Sequence, residues 1–384
     1  MKFFVPYKLQ IVMNWIRDYS IFTAVKLFNL LHLKKKYHIF NAKHGYLDNS
    51  KYLFEYYVNK GMLCVWVANN TETFDLVKNK FSTFDNVTVK KRGSLSLTYY
   101  LCTAKYLFIT HNYGDIGKFP KCVTVVNLWH GVALKKMGFD SPNDMNSISS
   151  LEVNPYLIND YVISTSNLTA THLASAMQLP LSSVLPFGQP RNDIFSLNNS
   201  SIEKLKLEIS DLYLSNRDKS DSTQIFLYAP TFRDKPANPL SIYLQVINAF
   251  EASKNKNTIL VLRLHPNEKP LLDNIRFSER VVLSKCLDVQ HDLLAADALI
   301  SDYSSVVFDY MLTGKPIILF SPDKGAYFNN RGGFYFDYDE VFKHCTHCSK
   351  QDEVQKLLDN NSLNFGSNIK PKPSASEKIF NHFS

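Results

Sequence analysis

Two histidines in this 384-residue chain each lie just beyond a run of apolar, strand-forming residues. His130 lies two residues after the run 123–128, and His265 directly follows the run 259–264. Ligands of parallel α/β sheets bind beyond the carboxyl ends of the strands, so both rings are expected at such an edge. A histidine there can exchange a proton with a reacting group near neutral pH. A single histidine is more often structural, but the repeated placement favours a function.

The segment 302–309 combines small hydroxyl side chains with carboxylates. It follows a predicted strand and opens a predicted helix that Gly314 closes. Ser304 is a natural N-cap, and together with Ser305 it leaves the first N–H groups of the helix available to an anion such as a pyrophosphate. Asp309 lies one turn beyond Ser305 on the same face, where it can meet a ribose hydroxyl or a protonated partner. The alternative is an ordinary capped helix, because Ser-Ser before an apolar run is common.

The elements that must position these residues alternate between strands and helices. A first series runs from residue 37 to about residue 200, and a second begins near residue 225. Interleaved strands and helices imply parallel sheets, so each half is predicted to be a Rossmann-like α/β domain. The predicted boundaries are 37–200 for the first domain and 201–345 for the second, with a helical tail over 346–384.

The N-terminal segment 1–36 has a different character. Lysines accompany apolar residues at helical spacing, among them Ile11, Trp15, Ile21, Val25 and Phe28. This mixture is typical of amphipathic helices that lie on a membrane surface, with lysines against anionic headgroups. The other interpretation is a pair of ordinary helices packed on the body of the protein. No uncharged apolar run approaches the ~20 residues that would span a bilayer.

The composition limits the partners and the compartment. Hydrophobic residues make up 45% and charged residues 20% of the chain, which is globular, and the formal net charge of +8 indicates an anionic partner. Basic and aromatic residues do not alternate as in a nucleic-acid platform, so nucleic acid is not expected as a partner. Six scattered cysteines and an N-terminus without an uninterrupted apolar core predict a reducing cytoplasm.

One cluster, His344-Cys345-Thr346-His347-Cys348, contains residue types that bind zinc. Five consecutive residues cannot easily supply four tetrahedral ligands, and no second cysteine pair stands at a suitable spacing. No aspartate-rich metal motif is present either. The sequence therefore predicts no metal and no cofactor.

Several motifs occur in a specific order between residues 38 and 335. They are Asn127-Leu128-Trp129-His130-Gly131, Lys135-Lys136-Met137-Gly138, Gly188-Gln189-Pro190-Arg191-Asn192-Asp193, Tyr228-Ala229-Pro230-Thr231-Phe232-Arg233-Asp234, Arg263-Leu264-His265-Pro266, and Ser301-Asp302-Tyr303-Ser304-Ser305 with Asp309. This combination resembles the CDP-glycerol glycerophosphotransferase family of teichoic acid and capsule synthesis. The chain departs from the family at Phe232, where tryptophan is usual, and at Gln189, where an aromatic residue is usual. These departures leave the donor and the acceptor open.

The resemblance implies a GT-B-like pair of Rossmann domains with the active site between them. It implies transfer of glycerol phosphate or ribitol phosphate from CDP-glycerol or CDP-ribitol to a hydroxyl of a lipid-linked or growing surface glycopolymer, with release of CMP. The first domain would hold the acceptor and the second the CDP donor. The enzyme would act at the cytoplasmic face of the bacterial membrane, bound peripherally to its anionic surface.

The resemblance also suggests a role for each candidate residue. His130 and His265 would be the catalytic residues, with His130 as the general base for the acceptor hydroxyl. His265 and the helix start at Ser304 and Ser305 would hold the diphosphate, and a protonated His265 would stabilise the charge of the leaving group. Thr231, Arg233, Arg263 and Asp309 would also bind the CDP donor. For the two arginines, an ion pair at the surface or at the end of a strand is an equal alternative to a contact with phosphate. Two other functions stay open: a GT-B glycosyltransferase that uses a nucleotide sugar, and a non-catalytic membrane-associated scaffold.

Overall fold

The computed structural model describes residues 7–31, 33–151, 153–214, 223–233, 239–265, 267–330, 332–360 and 374–384. The chain forms two compact units. The first contains Met1–His130, Leu151–Asp193 and Pro373–Ser384, and the second contains Gly131–Ser150 and Ile194–Lys372. Each unit is built around its own β-sheet.

The described residues form thirteen strands and fourteen α-helices. The strands are β1 (Tyr37–Asn41), β2 (Cys64–Ala68), β3 (Val87–Lys91), β4 (Ala104–Ile109), β5 (Thr124–Asn127), β6 (Tyr161–Ile163), β7 (Val184–Leu185), β8 (Gln224–Tyr228), β9 (Thr258–Leu262), β10 (Val281–Leu283), β11 (Ala298–Ser301), β12 (Ile317–Phe320) and β13 (Thr346–Cys348). The helices are α1 (Tyr7–Leu30), α2 (Asp48–Asn59), α3 (Thr71–Lys80), α4 (Leu95–Thr103), α5 (Pro142–Ser149), α6 (Asn167–Met177), α7 (Asn199–Leu214), α8 (Pro239–Ala252), α9 (Val289–Ala295), α10 (Val306–Met311), α11 (Lys324–Asn330), α12 (Tyr338–Val341), α13 (Gln351–Asn360) and α14 (Ala375–Phe383).

Both sheets have the strand order of a Rossmann domain. The first sheet runs β3-β2-β1-β4-β5-β6-β7 and the second runs β10-β9-β8-β11-β12-β13. Every pair of neighbouring strands is parallel. The order reverses between β1 and β4 in the first unit and between β8 and β11 in the second, and ligands bind at the carboxyl ends of the strands at such a reversal. The prediction of two Rossmann-like α/β domains is confirmed.

Continuous apolar runs become central strands that are buried on both faces. All five residues of β2 and of β9 are buried. Successive residues point to opposite faces of a strand, so Phe40 packs into one core of the first unit and Ile39 into the other. Helices must cover both faces of such a sheet, which explains the alternation of strands and helices along the chain.

The N-terminal helix α1 has a buried side and an exposed side. Ile21 and Val25 are 1% and 2% exposed and share a core with Leu97 and Leu101 of α4. The exposed apolar side consists of Ile16, Tyr19, Phe22, Leu27 and Leu30. One sequence interpretation predicted a pair of helices packed on the body, and the structure has a single helix that packs on the first unit. This helix also presents the exposed apolar side chains that the membrane interpretation requires.

Parts of the N-terminal prediction cannot be compared with the structure. Ile11 and Trp15 belong to α1, but their side chains lie outside what the structure describes, as do residues 1–6. Within the described chain, no helix combines the length and the apolar character needed to cross a bilayer.

The C-terminal segment differs from the helical tail predicted over 346–384. β13 pairs with β12 at the edge of the second sheet, and α13 packs on α8 of the same unit. The helix α14 packs on α2 of the first unit instead. There Asp193 accepts hydrogen bonds from Ser374 Oγ (2.9 Å) and from the N–H groups of Ala375 (2.8 Å) and Ser376 (2.9 Å). A three-residue edge strand is too short to give an apolar pattern, which is why the sequence did not indicate it.

Candidate active site

The carboxyl ends of β1, β4 and β5 bring three loops of the first unit together. These strands are neighbours and parallel, so the residues that follow them meet at one edge of the sheet. Asp48 and Asn49 begin α2 after β1, His111 follows β4, and His130 follows β5. The reversal of strand order lies within this group, which is the usual ligand site of a Rossmann domain.

The turn that carries His130 is held by polar side chains from other segments. Trp129 has a φ of +56°, a left-handed conformation that is uncommon for a bulky residue. Asn49 Nδ2 donates to the carbonyl oxygen of Trp129 (2.9 Å). Arg191 Nη1 donates to the carbonyl oxygen of His130 (3.0 Å) and to Asp48 Oδ1 (2.9 Å). These contacts fix the strained turn and thereby the position of the imidazole.

The hydrogen bond of the His130 ring defines its tautomer. Nδ1 lies 3.1 Å from the carbonyl oxygen of Thr110. A carbonyl oxygen only accepts, so Nδ1 carries the proton of the neutral ring and Nε2 carries the lone pair. Burial lowers the pKa of His130, while the nearby carboxylate of Asp48 acts in the opposite direction. At neutral pH the ring is thus uncharged, and Nε2 is the nitrogen that can accept a proton.

His111 lies flat against His130 and was not among the candidates from the sequence. The two ring centroids are 4.3 Å apart and the ring planes differ by 5°. Thr110 Oγ1 lies 2.9 Å from His111 Nδ1, so this threonine contacts both rings. Burial, followed by the neighbouring His130 and His44, lowers the pKa of His111 to about 2, which keeps the ring neutral. The sequence did contain the signal, because the apolar run 106–109 ends two residues before His111, just as the run 123–128 ends two residues before His130.

The carboxyl ends of β8, β9 and β11 gather the remaining candidates in the second unit. Thr231 and Arg233 follow β8, His265 follows β9, and Ser304 follows β11. Since β8 and β11 form the reversal point of this sheet, the structure places these residues at the expected ligand edge. Asp234 and Pro266, which belong to the same motifs, lie outside the described residues.

His265 has the opposite tautomer to His130. The N–H of Asn267 donates to His265 Nδ1 at 3.3 Å. Nδ1 therefore holds the lone pair, and Nε2 carries the proton of the neutral ring. The side chain is exposed, and its ring centroid lies 4.7 Å from that of Phe232. A donor at Nε2 suits an oxygen that gains negative charge during a reaction.

The guanidinium of Arg233 is engaged by protein groups. Nε and Nη2 donate to the two oxygens of Asp323 (2.8 and 3.1 Å), and Nη2 lies 2.8 Å from Asp302 Oδ2. Nη1 donates to the carbonyl oxygen of Thr231 (2.9 Å), and Arg233 is only 5% exposed. The structure thus shows the ion pairs that were the alternative to a phosphate site. Arg233 orders the loop after β8.

Arg263 is engaged in the same way on a different loop. Nη1 donates to Asp292 Oδ2 (2.7 Å), to Ser284 Oγ (3.1 Å) and to the carbonyl oxygen of Cys286 (2.8 Å). Nη2 donates to the carbonyl oxygen of Leu287 (2.8 Å). These bonds tie the segment between β10 and α9 to the end of β9. Arg263 therefore forms the ion pair that was the alternative to a phosphate contact.

Asp302 joins the loops that follow β8 and β11. Its Oδ1 accepts hydrogen bonds from the N–H groups of Thr231 (2.8 Å) and Tyr303 (2.7 Å). Thr231 Oγ1 is buried and has no hydrogen-bond partner among the described residues. The sequence assigned no role to Asp302 or Asp323, because nothing in a local pattern shows which distant arginine a carboxylate will meet.

The start of α10 differs in detail from the prediction. The N-cap position is occupied by Ser305 rather than Ser304, and the Ser305 side chain makes no capping hydrogen bond. Ser304 Oγ instead accepts a hydrogen bond from the N–H of Val306 (3.3 Å). Both serines are partly exposed, whereas Asp309 is 2% exposed. Asp309 therefore lies inside the unit.

The cysteine–histidine cluster near residue 345 divides between the core and the surface. Cys345 and Cys348 are buried, while His344 and His347 are exposed. His347 Nε2 lies 3.0 Å from the carbonyl oxygen of Phe342, so Nε2 donates to it. Among the described residues, no group of three or more histidine, cysteine, aspartate or glutamate side chains is arranged to hold a metal ion.

Comparison with known proteins identifies a family and several relatives of this chain. The family model for CDP-Glycerol:Poly(glycerophosphate) glycerophosphotransferase matches residues 21–368. A teichoic acid poly(glycerol phosphate) polymerase of Bacillus spizizenii is 30% identical over 350 residues, which cover 85% of this chain and 83% of the relative. A teichoic acid ribitol-phosphate primase of the same organism is 31% identical over 254 residues, which cover 63% of this chain and 62% of the primase.

The fold has a solved counterpart as well. The structure of a variant of the wall teichoic acid polymerase TagF superposes with a TM-score of 0.73 and 21% identity, covering 99% of this chain and 98% of the other. That likeness establishes the fold, and the family match spans most of the chain, including the loops that carry both histidines. The chain therefore belongs to the CDP-glycerol:poly(glycerophosphate) glycerophosphotransferase family.

Proposed function

We propose that this chain transfers a polyol phosphate from a CDP-alditol to a hydroxyl group of a teichoic acid or related surface glycopolymer and releases CMP. The observation that carries the proposal is the state of His130. Its ring is neutral, its Nδ1 is tied to Thr110, and its Nε2 is left as an acceptor at the reversal point of a parallel sheet. Phosphoryl transfer needs such a group to receive the proton of the attacking hydroxyl.

The proposed step begins in the first unit. The acceptor hydroxyl gives its proton to His130 Nε2 while its oxygen attacks the β-phosphorus of the CDP-alditol. The new O–P bond forms, the bond from the β-phosphorus to the bridging oxygen breaks, and CMP leaves with that oxygen. The carboxylate of Asp48, whose charge favours the protonated ring, stabilises the imidazolium that results.

The second unit is proposed to hold the diphosphate of the donor. His265 presents an N–H at Nε2, and Ser304, Ser305 and Thr231 place hydroxyl groups at the same edge of the sheet. Such donors stabilise the negative charge that develops on the leaving phosphate. Arg233 and Arg263 act indirectly, by ordering the loops.

The membrane is the proposed location of the acceptor. Among the side chains of α1 that the structure describes, five large apolar ones are exposed, and so are Arg17 and Lys26. The lysines at 34–36, which follow the helix, are exposed as well. A helix that presents apolar and basic side chains together is suited to an anionic lipid surface. Binding there would keep the enzyme beside an acceptor that is carried on a lipid.

Release of CMP tests the proposed function directly. Purified protein is incubated with CDP-glycerol, CDP-ribitol, UDP-sugars or CMP-sugars, with and without a teichoic-acid-type acceptor, and the released nucleotide is quantified. We expect CMP from a CDP-alditol only when the acceptor is present.

Two results would overturn the proposal. Nucleotide release from a sugar donor alone would identify a glycosyltransferase. No release from any donor, by protein that binds vesicles, would indicate a membrane scaffold.

A further inference from the structure

The loop 188–193 connects the C-terminal helix α14 to the turn that carries His130. This loop is one of the motifs found in the sequence, and the transfer proposed above assigns it no step. Its last residue, Asp193, binds the first turn of α14, and Arg191 binds the turn of His130. All of these residues belong to the first unit.

Asp193 closes the N-terminal end of α14. Its Oδ1 accepts a hydrogen bond from the N–H of Ala375 (2.8 Å), and its Oδ2 accepts from the N–H of Ser376 and from Ser374 Oγ (both 2.9 Å). The first N–H groups of a helix have no partner within the helix, and a carboxylate there also meets the positive end of the helix dipole. Three hydrogen bonds therefore fix Asp193 relative to α14.

Gly188 brings the other end of the loop against the same helix. Its φ of +96° is a conformation that residues with a side chain rarely adopt. A Cβ atom at this position would lie 3.2 Å from the Cβ of Ala375, which is closer than most contacts of Cβ atoms. The glycine permits this close approach, so both ends of the loop lie against α14.

The helix α14 is anchored in the first unit by its apolar side chains. Ile379 and Phe383 are 0% and 2% exposed and belong to one core of this unit. The ring centroid of Phe380 lies 5.0 Å from that of Tyr57 in α2, the helix that begins at Asp48. The helix α14 therefore supports both the loop 188–193 and the helix α2.

Hydrogen bonds continue from the loop to the catalytic turn. Arg191 Nη1 donates to the carbonyl oxygen of His130 (3.0 Å) and to Asp48 Oδ1 (2.9 Å), and the Arg191 N–H donates to Asn49 Oδ1 (3.1 Å). Asn49 Nδ2 donates in turn to the carbonyl oxygen of Trp129 (2.9 Å). The left-handed backbone of Trp129 persists only while its surroundings hold it. A shift of the loop 188–193 would therefore release the turn.

We propose that Asp193 is a positioning residue for the phosphotransfer and that α14 acts through it to hold the turn of His130. The inference rests on the proposed function and adds the C-terminal helix to the parts that catalysis requires. Asp193 takes no part in the proton transfer and acts through Arg191. The base must stay within hydrogen-bond reach of the acceptor hydroxyl, and a displacement of about 1 Å can slow such a reaction by about 10²-fold.

Asp193→Ala in the full-length protein tests the proposal. We measure kcat and KM for CMP release with a CDP-alditol and a soluble acceptor, together with the melting temperature. We expect kcat to fall by about tenfold or more and the KM of the CDP donor to stay unchanged, because the donor is held by the second unit. Asp193→Asn keeps one oxygen as an acceptor, so its kcat should lie between those of the wild type and the alanine variant. The asparagine variant serves for all comparisons if the alanine variant does not fold.

A double-mutant cycle shows whether Asp193 acts through Arg191. Arg191→Ala should itself lower kcat, because it removes the hydrogen bonds to His130 and Asp48. Adding Asp193→Ala to this variant should change kcat by less than about twofold, since the connection to the turn is already broken. A role in stability alone would lower the melting temperature without this dependence of one effect on the other.

Asp160→Ala is the matched control. Asp160 is partly buried like Asp193, lies in the same unit, and accepts hydrogen bonds from the N–H of Val125 (2.8 Å) and from Lys121 Nζ (3.0 Å). It lies at the opposite edge of the sheet, just before β6 begins. The control should therefore lower the melting temperature and leave kcat unchanged.

Three results would overturn the positioning role while CMP release by the wild type still supports the transfer. They are a wild-type kcat for Asp193→Ala, equal losses of kcat in the two aspartate variants, and a full further loss when Asp193→Ala is added to Arg191→Ala. Absence of CMP release by the wild type would overturn the proposed function itself.

Discussion

The carbonyl oxygen of Thr110 and the N–H of Asn267 decide which nitrogen of each histidine carries the proton. In the neutral ring of His130, Nε2 holds the lone pair and can accept a proton. In the neutral ring of His265, Nε2 carries the proton and can donate a hydrogen bond. The same residue type can therefore serve as a base in one unit and as a hydrogen-bond donor in the other. The local hydrogen bond, rather than the histidine alone, sets the chemistry.

Replacement of His130 by alanine tests the role of the base. We expect kcat for CMP release to fall by about two orders of magnitude or more, because no group remains to take the proton of the hydroxyl. His382→Ala is the control, since His382 is exposed in α14 of the same unit. Both variants should melt like the wild type. Near-normal turnover by the His130 variant would remove the general-base assignment.

His111 is expected to act through His130, and a pH profile can show it. The charged and titratable groups around the two rings are Lys43, His44, Asp48 and Arg191. Burial lowers the pKa of His130, and the stacked ring of His111 covers one face of it. His111→Ala should admit water and raise that pKa, so the acidic limb of the kcat profile should move to higher pH. His111→Phe retains a flat ring and should keep the limb near its wild-type position. Coinciding profiles for all three proteins would show that the stacking has no such effect.

At the scale of the element, the loop after β8 depends on one buried ion-pair network. Arg233→Ala would leave Asp302, which is 1% exposed, without its cation and would remove two hydrogen bonds from Asp323. Breaking a buried pair in this way costs roughly 3–5 kcal/mol of unfolding free energy, measured by urea titration. Arg276→Ala is the control, because Arg276 is exposed. If Arg233→Ala left the free energy of unfolding unchanged and raised the KM of the CDP donor, Arg233 would instead be a ligand of the donor's phosphate.

The elements differ in how far the sequence predicted them. Strands such as β2 and β9 were predictable, because a strand buried on both faces must be apolar throughout. The positions of His130 and His265 at the carboxyl edges of the sheets were also predictable, because each histidine follows such a strand. The partners of Arg233 and Arg263 were not predictable, since Asp323 and Asp292 lie far along the chain and only the folded sheet brings them close.

At the scale of the molecule, the two units have separate cores and can be followed separately. The three tryptophans of the chain, Trp15, Trp66 and Trp129, all belong to the first unit. Tryptophan fluorescence therefore reports the unfolding of the unit that carries His130. This matters because unfolding of a chain with two such units need not be a single transition.

The first unit should lose stability as the pH falls below neutrality. His38 in β1 is 0% exposed, and burial, followed by the charge of Lys105, lowers its pKa from 6.5 to about 4. The unfolded chain binds the proton at higher pH than the folded chain does, so stability falls as the pH drops from about 6.5 towards 4. Between pH 7 and pH 5 this residue accounts for about 2 kcal/mol. Urea titrations followed by tryptophan fluorescence should show that His38→Phe removes this part of the pH dependence, and an unchanged dependence would contradict it.

Membrane binding is expected to depend on the exposed side of α1 and on the positive charge of the chain. Removal of residues 1–36 is a poor test, because it would also remove Ile21 and Val25 and uncover the core around Leu97. Replacing Ile16, Phe22 and Leu30 together by glutamine changes only exposed positions. This variant should lose most of its co-sedimentation with anionic vesicles and keep its melting temperature and its turnover on a soluble acceptor.

The matched control replaces three exposed leucines elsewhere in the first unit, Leu157, Leu168 and Leu181, by glutamine. It should bind vesicles like the wild type, since it also loses three exposed apolar side chains but none of them from α1. Raised salt should weaken the binding of the wild type and of the control alike, because each basic residue near the lipid contributes about 1 kcal/mol that salt screens. Vesicles without anionic lipid should bind all three proteins weakly. Wild-type protein that stays in the supernatant at low salt would show that α1 is only a packing helix.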